Sequence, residues 1–182
     1  DGNVYEGGYA LEGRNGRGKL TFVSGSYYEG EFLDGNYDGR GKLVYSDGDW
    51  KEGKWENDNF IEGKVKLTLE NATYEGEMKN DMYHGQGKLV YNSGNVYEGE
   101  FQDNEMHGKG KFTYGDGSGY RDGLFQNDAF VSGKSNRTFS DGGSYEGDIV
   151  DRDWTGKGKR VYPNGNVYDG EWLDNVYHGK GR

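Results

Sequence analysis

Residues 95–114 read NVYEGEFQDNEMHGKGKFTY. An aromatic, an acid, a glycine, a second acid and a second aromatic are followed by a short polar gap and then by H-G-K-G-K-F-x-Y. The phrase returns at 27–45 as YYEGEFLDGNYDGRGKLVY, at 73–91 as TYEGEMKNDMYHGQGKLVY and at 166–182 as NVYDGEWLDNVYHGKGR. Aligned on the first glycine, it recurs at Gly7, Gly30, Gly53, Gly76, Gly99, Gly123, Gly147 and Gly170, always 23 or 24 residues apart. A fixed period of this size marks a repeat array. The whole chain, 1–182, reads as one array of eight units starting near residues 5, 28, 51, 74, 97, 120, 145 and 168.

Each unit contains two segments that alternate apolar and polar residues, separated by Gly, Asn and Asp, which is the pattern of two short strands and a tight turn. No stretch carries a helical period of useful length. The spacing predicts an all-β chain: consecutive antiparallel hairpins in one elongated, twisted, solenoid-like sheet about 75 Å long. Alternation sets Tyr28, Gly30 and Phe32 on one face with Gly41, Leu43 and Tyr45. Glu29 and Glu31 share the other face with Lys42. An acid follows the aromatic position in every unit (Glu6, Glu29, Glu52, Glu75, Glu98, Asp122, Glu146, Asp169), and most partner strands supply a lysine (Lys19, Lys42, Lys66, Lys88, Lys111, Lys159). Interleaved rows of opposite charge support a sheet by a few tenths of a kcal/mol per pair. This ladder is expected to be structural.

Composition agrees only after the period is recognised. Leu, Ile, Val and Phe make 30 of 182 residues and the net charge is −10, values that by themselves suggest disorder. Yet 16 Tyr, 8 Phe and 4 Trp recur at fixed spacing beside 35 Gly, which points to order. The acidic balance weighs against generic binding to nucleic acid or to an anionic membrane. With no cysteine and no apolar run of membrane-spanning length, an intracellular, reducing compartment is the expectation.

Large rings beside glycines, with no second layer to cover them, predict a strip that curls around a concave aromatic groove. Tyr28, Phe32, Tyr45, Tyr74, Tyr91, Tyr97, Phe101 and Tyr114 are the expected groove residues, receiving a helical or extended protein segment. A competing reading makes the same rings the core of a thin sheet.

The recurring unit, which covers essentially the whole chain, resembles the MORN repeat (membrane occupation and recognition nexus), whose unit runs roughly Y-x-G-x-W-x-x-G-x-x-x-G-x-G. The resemblance implies an elongated hairpin array acting as a non-enzymatic scaffold at cytoskeletal or membrane-associated structures. It also implies a homodimer through a terminal unit, here around Trp154, Tyr168, Trp172 and Tyr177. Binding of phosphoinositides or a membrane is a second implied function. Service as the accessory module of a SET-domain methyltransferase or a lipid kinase is a third.

Units three and six depart together. KWENDNFIEGKVK and LFQNDAFVSGKSN share N-D-x-F-[I/V]-x-G-K, place their glycine one residue late (Gly63, Gly133), and carry Val65 or Ser135 where the second glycine is expected. Phe60, Ile61, Phe130 and Val131 are expected to kink the strip or to form contact loops. The chain begins inside an inter-unit turn and stops before a closing strand, so a fragment of a longer array with open edges is expected.

Catalytic and metal chemistry is not indicated. His84, His107 and His178 occupy one turn position without a further ligand. DGNYDG at 34–39 begins like a calcium loop, but Tyr45 stands at its twelfth position. SGKS at 132–135 lacks the first glycine of a phosphate loop. The sequons at Asn71 and Asn136 would have no use in an intracellular protein. No enzyme, cofactor, metal or nucleic-acid partner is expected.

Overall fold

A computed structural model describes residues 2–11 and 13–182. Its elements are sixteen strands: β1 (Val4–Ala10), β2 (Gly13–Thr21), β3 (Tyr27–Leu33), β4 (Asn36–Val44), β5 (Trp50–Glu56), β6 (Asn59–Thr68), β7 (Ala72–Lys79) and β8 (Met82–Tyr91), then β9 (Val96–Gln102), β10 (Glu105–Thr113), β11 (Gly119–Gln126), β12 (Ala129–Thr138), β13 (Ser144–Val150), β14 (Asp153–Val161), β15 (Val167–Leu173) and β16 (Val176–Gly181). They form one open antiparallel sheet in chain order, eight hairpins as the repeat predicts. The chain packs as two compact units, Asp1–Gly87 and Lys88–Arg182.

From β3 onward, the strands of each hairpin are joined by two residues that both have positive φ, such as Asn57 (47°) with Asp58 (64°) and Asn127 (49°) with Asp128 (63°). This is the turn whose twist matches that of the strands, and Asn, Asp and Gly tolerate it best. Turns from the second hairpin on also bond to the hairpin before them, as at Gly35, Asp58, Asn80, Asp128, Asp151 and Asn175. The Asp58 carboxylate accepts the Tyr37 N–H at 2.7 Å, and the Asp58 N–H donates to the Tyr37 carbonyl at 3.0 Å. Asp128 makes the same two bonds with Met106, at 2.8 and 3.1 Å.

The core of a regular unit is one tyrosine laid flat over two glycines. Tyr28 reaches across Gly30 and Gly41, which face each other on β3 and β4, and donates its hydroxyl to the Glu31 carbonyl at 3.1 Å. A Cβ on Gly41 would lie 2.0 Å from the Tyr28 hydroxyl, so the glycine leaves room for the ring. The same bond, from hydroxyl to the carbonyl three residues on, recurs at Tyr5, Tyr74, Tyr97, Tyr145 and Tyr168. Neighbouring rings complete the cover. Tyr37 stacks on Tyr28 at 3.7 Å, while Phe32 and Trp55 meet it edge-on at 5.1 and 5.5 Å. Edge-to-face and offset stacks are the favoured aromatic geometries. Trp55 also ties its unit to the previous one, donating Nε1–H to the Gly41 carbonyl at 3.0 Å; Trp172 does so to Gly158 at 2.8 Å.

Regular hairpins carry a bulge. On β3 and β4 the pairing runs from Gly30–Gly41 to Phe32–Tyr37, so β4 has two extra residues. Gly39 turns the bulge with φ 98°, which disfavours a side chain. The bulge frees the Arg40 amide, which donates to the Glu31 carboxylate at 2.7 Å. Asp148 caps Lys157 in the same way at 2.9 Å.

Units three and six differ by one residue in this bulge. Gly53 faces Gly63 and Trp55 faces Phe60, a single extra residue. The register corrects the reading of their glycines. Gly63 and Gly133 face Gly53 and Gly123 as Gly41 faces Gly30, so the retained glycine is the second of the pair. What these units lack is the bulge glycine. Val65 and Ser135, both buried, stand where Leu43 stands in a regular unit. Lys51 and Arg121 replace the tyrosine, lying over Phe60 at 5.5 Å and over Phe130 at 5.6 Å. The ladder is corrected as well: Glu52 faces Lys64, whereas Lys66 faces Trp50 and Glu75.

Candidate interaction surface

The rings are packed away. Tyr28, Tyr74 and Tyr97 are 0% exposed and Phe32 and Phe101 are 3% exposed. Tyr91 and Tyr114 are half-buried, which leaves Tyr45 as the exposed member of the eight rings expected in a groove. The tyrosines lie down on their glycines instead of standing over a channel. Burial pushes the phenols of Tyr97 and Tyr145 up to about 12, helped by the nearby carboxylates of Glu100 and Asp148. Among the expected loop residues, Phe60 and Phe130 are buried beneath Trp55 and Phe125, at 5.1 and 5.2 Å. Both belong to the core. Ile61 and Val131 are half-buried, their carbonyls accepting the Asn80 and Asp151 amides at 2.8 Å each. At the last hairpins, Trp172 is buried, Trp154 is stacked on Tyr145 at 4.4 Å, Tyr168 is half-buried and Tyr177 is exposed.

The open groove of the first unit lies on the opposite, charged face. It encloses about 1630 Å³ between residues 6 and 84. Its first row runs across seven strands in direct opposition: Glu6, Lys19, Glu29, Lys42, Glu52, Lys64, Glu77. The signs alternate without exception. Lys42 meets Glu52 at 2.9 Å and lies over the Trp50 ring at 4.7 Å, and Lys19 lies over Tyr27 at 4.4 Å. The second row, two residues along each strand, carries Arg17, Glu31, Arg40, Lys54, Glu62 and Lys79. Here the alternation fails, because Arg40 faces Lys54 directly. Glu31 is occupied by the bulge amide and Glu62 pairs with Lys79 at 3.7 Å.

The second unit has a charged row of its own: Glu98, Lys111, Asp122, Lys134 and Asp148 face one another in turn. Partial burial raises the Asp148 carboxyl, but its bonds to the Lys134 ammonium and the Lys157 amide outweigh that and hold it below the usual range. Beside this row, Leu124 and Val150 are exposed with Ser132 between them. The positions that carry Lys54, Glu62 and Lys79 in the first unit are thus largely apolar in the second.

The sequence reading missed the capping of the bulge by the second acid, and with it the meaning of Lys54. The signal was present: unit three reads K-E-G-K where regular units read Y-E-G-E. Among the described residues, no group of three or more His, Asp or Glu could hold a metal ion, and no helix is long and apolar enough to cross a membrane.

Comparison with curated proteins returns no match. The family model for the MORN repeat matches residues 5–27, 28–50, 74–96, 97–119, 145–167 and 168–182. The stretches it passes over are units three and six, whose bulge is short and whose tyrosine is replaced by Lys51 or Arg121. MORN repeats are in general modules of interaction with proteins and membranes, and their family is typically non-enzymatic. From six matched repeats that together span well over half of its length, the chain belongs to the MORN-repeat family.

Proposed function

We propose that the chain is a non-enzymatic protein-interaction scaffold that receives a helical or extended protein segment on its charged face. The observation that carries this reading is the groove of about 1630 Å³ lined by opposed acids and bases, while the rings on the other face are used as core. A row of mixed charge favours a polypeptide, whose side chains supply both signs, over an anionic membrane, which the groove's carboxylates repel. Interfaces read in this way gain specificity from charge register.

The test is capture from a lysate of the source cells with the wild type, with Lys19→Glu/Lys42→Glu/Lys64→Glu, and with Tyr45→Ala on the opposite face. A protein retained by the wild type and by Tyr45→Ala but lost by the triple reversal supports the reading. Retention by the triple reversal at the wild-type level overturns it, provided circular dichroism shows that all three are folded. Vesicles containing phosphoinositides, run in parallel, report on the alternative of membrane association.

A further inference from the structure

The first unit's groove contains one place where the charge pattern is broken, and the break is built into the fold. In the first row every cross-strand neighbour has the opposite sign, and the break lies in the second. Arg40 on β4 and Lys54 on β5 face each other directly, both exposed, both lining the groove, and neither forms an ion pair among the described residues. Like charges directly opposite on a sheet destabilise it.

The neighbouring acids do not relieve this. Glu31, next to Arg40 on β3, accepts the Arg40 backbone amide, a bond the bulge requires. Glu62, facing Lys54 on β6, is held by Lys79 at 3.7 Å. Lys54 itself stands where a regular unit has the bulge-capping acid. It is free of that duty because the bulge of unit three is one residue shorter. Unit six has the same short bulge and places Leu124 at this position, opposite Lys109. The fold therefore accepts an apolar residue here, and the lysine is not required for the hairpin.

We infer that Arg40 and Lys54 form a carboxylate-binding subsite for an acidic peptide segment lying in the groove. This deepens the scaffold reading and rests on it. A side-chain carboxylate between the two cations would relieve their repulsion and accept a charge-assisted hydrogen bond from each. Arg17, on the same row, and Lys64, on the first row, extend the favourable field on either side.

The test uses an acetylated octapeptide of alternating Glu and Ser, which presents its acids on one side when extended, and a control with Gln for Glu. Each is titrated into isotopically labelled chain, and backbone amide shifts are read. The expected result is saturable shifts at Arg40, Lys54 and Glu62 with the acidic peptide only. Affinity should be about tenfold weaker in Lys54→Leu, the loss of one charge-assisted bond. Amide dispersion like that of the wild type shows that Lys54→Leu is folded, and Leu124 is its internal precedent.

Equal binding by Lys54→Leu, or equal shifts with the Gln peptide, overturns the subsite while leaving the scaffold reading in place. Absence of shifts with the acidic peptide also overturns it, and the scaffold reading then stands or falls by the capture experiment. Displacement of the peptide by phosphoinositide vesicles that also depend on Lys54 assigns the pair to a lipid headgroup and overturns the inference.

Discussion

Replacing Gly41 by Ala tests how the array is built. An ideal Cβ there lies 2.0 Å from the Tyr28 hydroxyl, 2.3 Å from Cζ and 2.6 Å from Cε2. Carbon contacts are comfortable only near 3.5 to 4 Å, so the ring would have to lift by roughly 1 Å or more. Lifting breaks the bond to the Glu31 carbonyl and disturbs the stack on Tyr37. Overpacking costs about 1–3 kcal/mol and the hydrogen bond about 1 kcal/mol more, a sum of about 2–4 kcal/mol. The cost belongs to the pair. In a Tyr28→Leu background the ring is gone, and Gly41→Ala should be neutral or stabilising by about 0.5 kcal/mol, as for any alanine replacing a strand glycine. The four proteins form a double-mutant cycle with a coupling energy of about 2 kcal/mol or more. Urea denaturation followed by circular dichroism and by tryptophan fluorescence, with Trp55 beside the site, measures it. An equal cost of Gly41→Ala in both backgrounds would refute the reasoning.

Three further outcomes are expected. Tyr74→Phe keeps the ring and removes the hydroxyl that donates to the Glu77 carbonyl at 2.6 Å; denaturation should show a loss of about 1–2 kcal/mol, far less than a cavity would cause. Arg160 is buried at the position of Leu43, bonded to the Val161 carbonyl at 2.9 Å and 3.8 Å from Asp141, so Arg160→Leu should leave stability within about 1 kcal/mol of the wild type or raise it. Burial holds the phenols of Tyr37, Tyr97 and Tyr145 near 12 and those of Tyr28 and Tyr74 higher still, which means that the folded state favours the neutral form. Their contribution is complete below the ordinary phenol value of about 10 and is lost as pH rises through the folded values. Phenolate absorbance should therefore appear in two steps, the second coinciding with loss of the circular dichroism signal.

Much of this architecture was legible in the sequence because the repeat announces its own register. The glycine spacing located every hairpin, and alternation placed Glu29 and Lys42 on one face and Tyr28 on the other. The site was less legible. Alternation says which face a ring occupies but not whether it stands up or lies down. Tyr28 lies down because its hydroxyl reaches a carbonyl three residues away and the facing glycines give it room, a three-body arrangement that no single spacing encodes. The bulge was invisible for a similar reason. Glu31 looked like another rung of a charge ladder, and only the register shift between Gly30 and Phe32 shows the amide it caps. The same shift explains why one missing residue in unit three moves Gly63 into the second glycine's place and lets Lys54 replace an acid.

The rings of the repeat serve as the core of the sheet and do not line an open groove. Nitration of the native chain with tetranitromethane, mapped by mass spectrometry, tests this most directly. The account predicts that Tyr9, Tyr45 and Tyr177 react while Tyr28, Tyr74, Tyr97 and Tyr145 stay unmodified until the chain is denatured. Reaction of those four at the rate of Tyr177 in the folded chain would mean that the rings line an open groove, and would contradict the account.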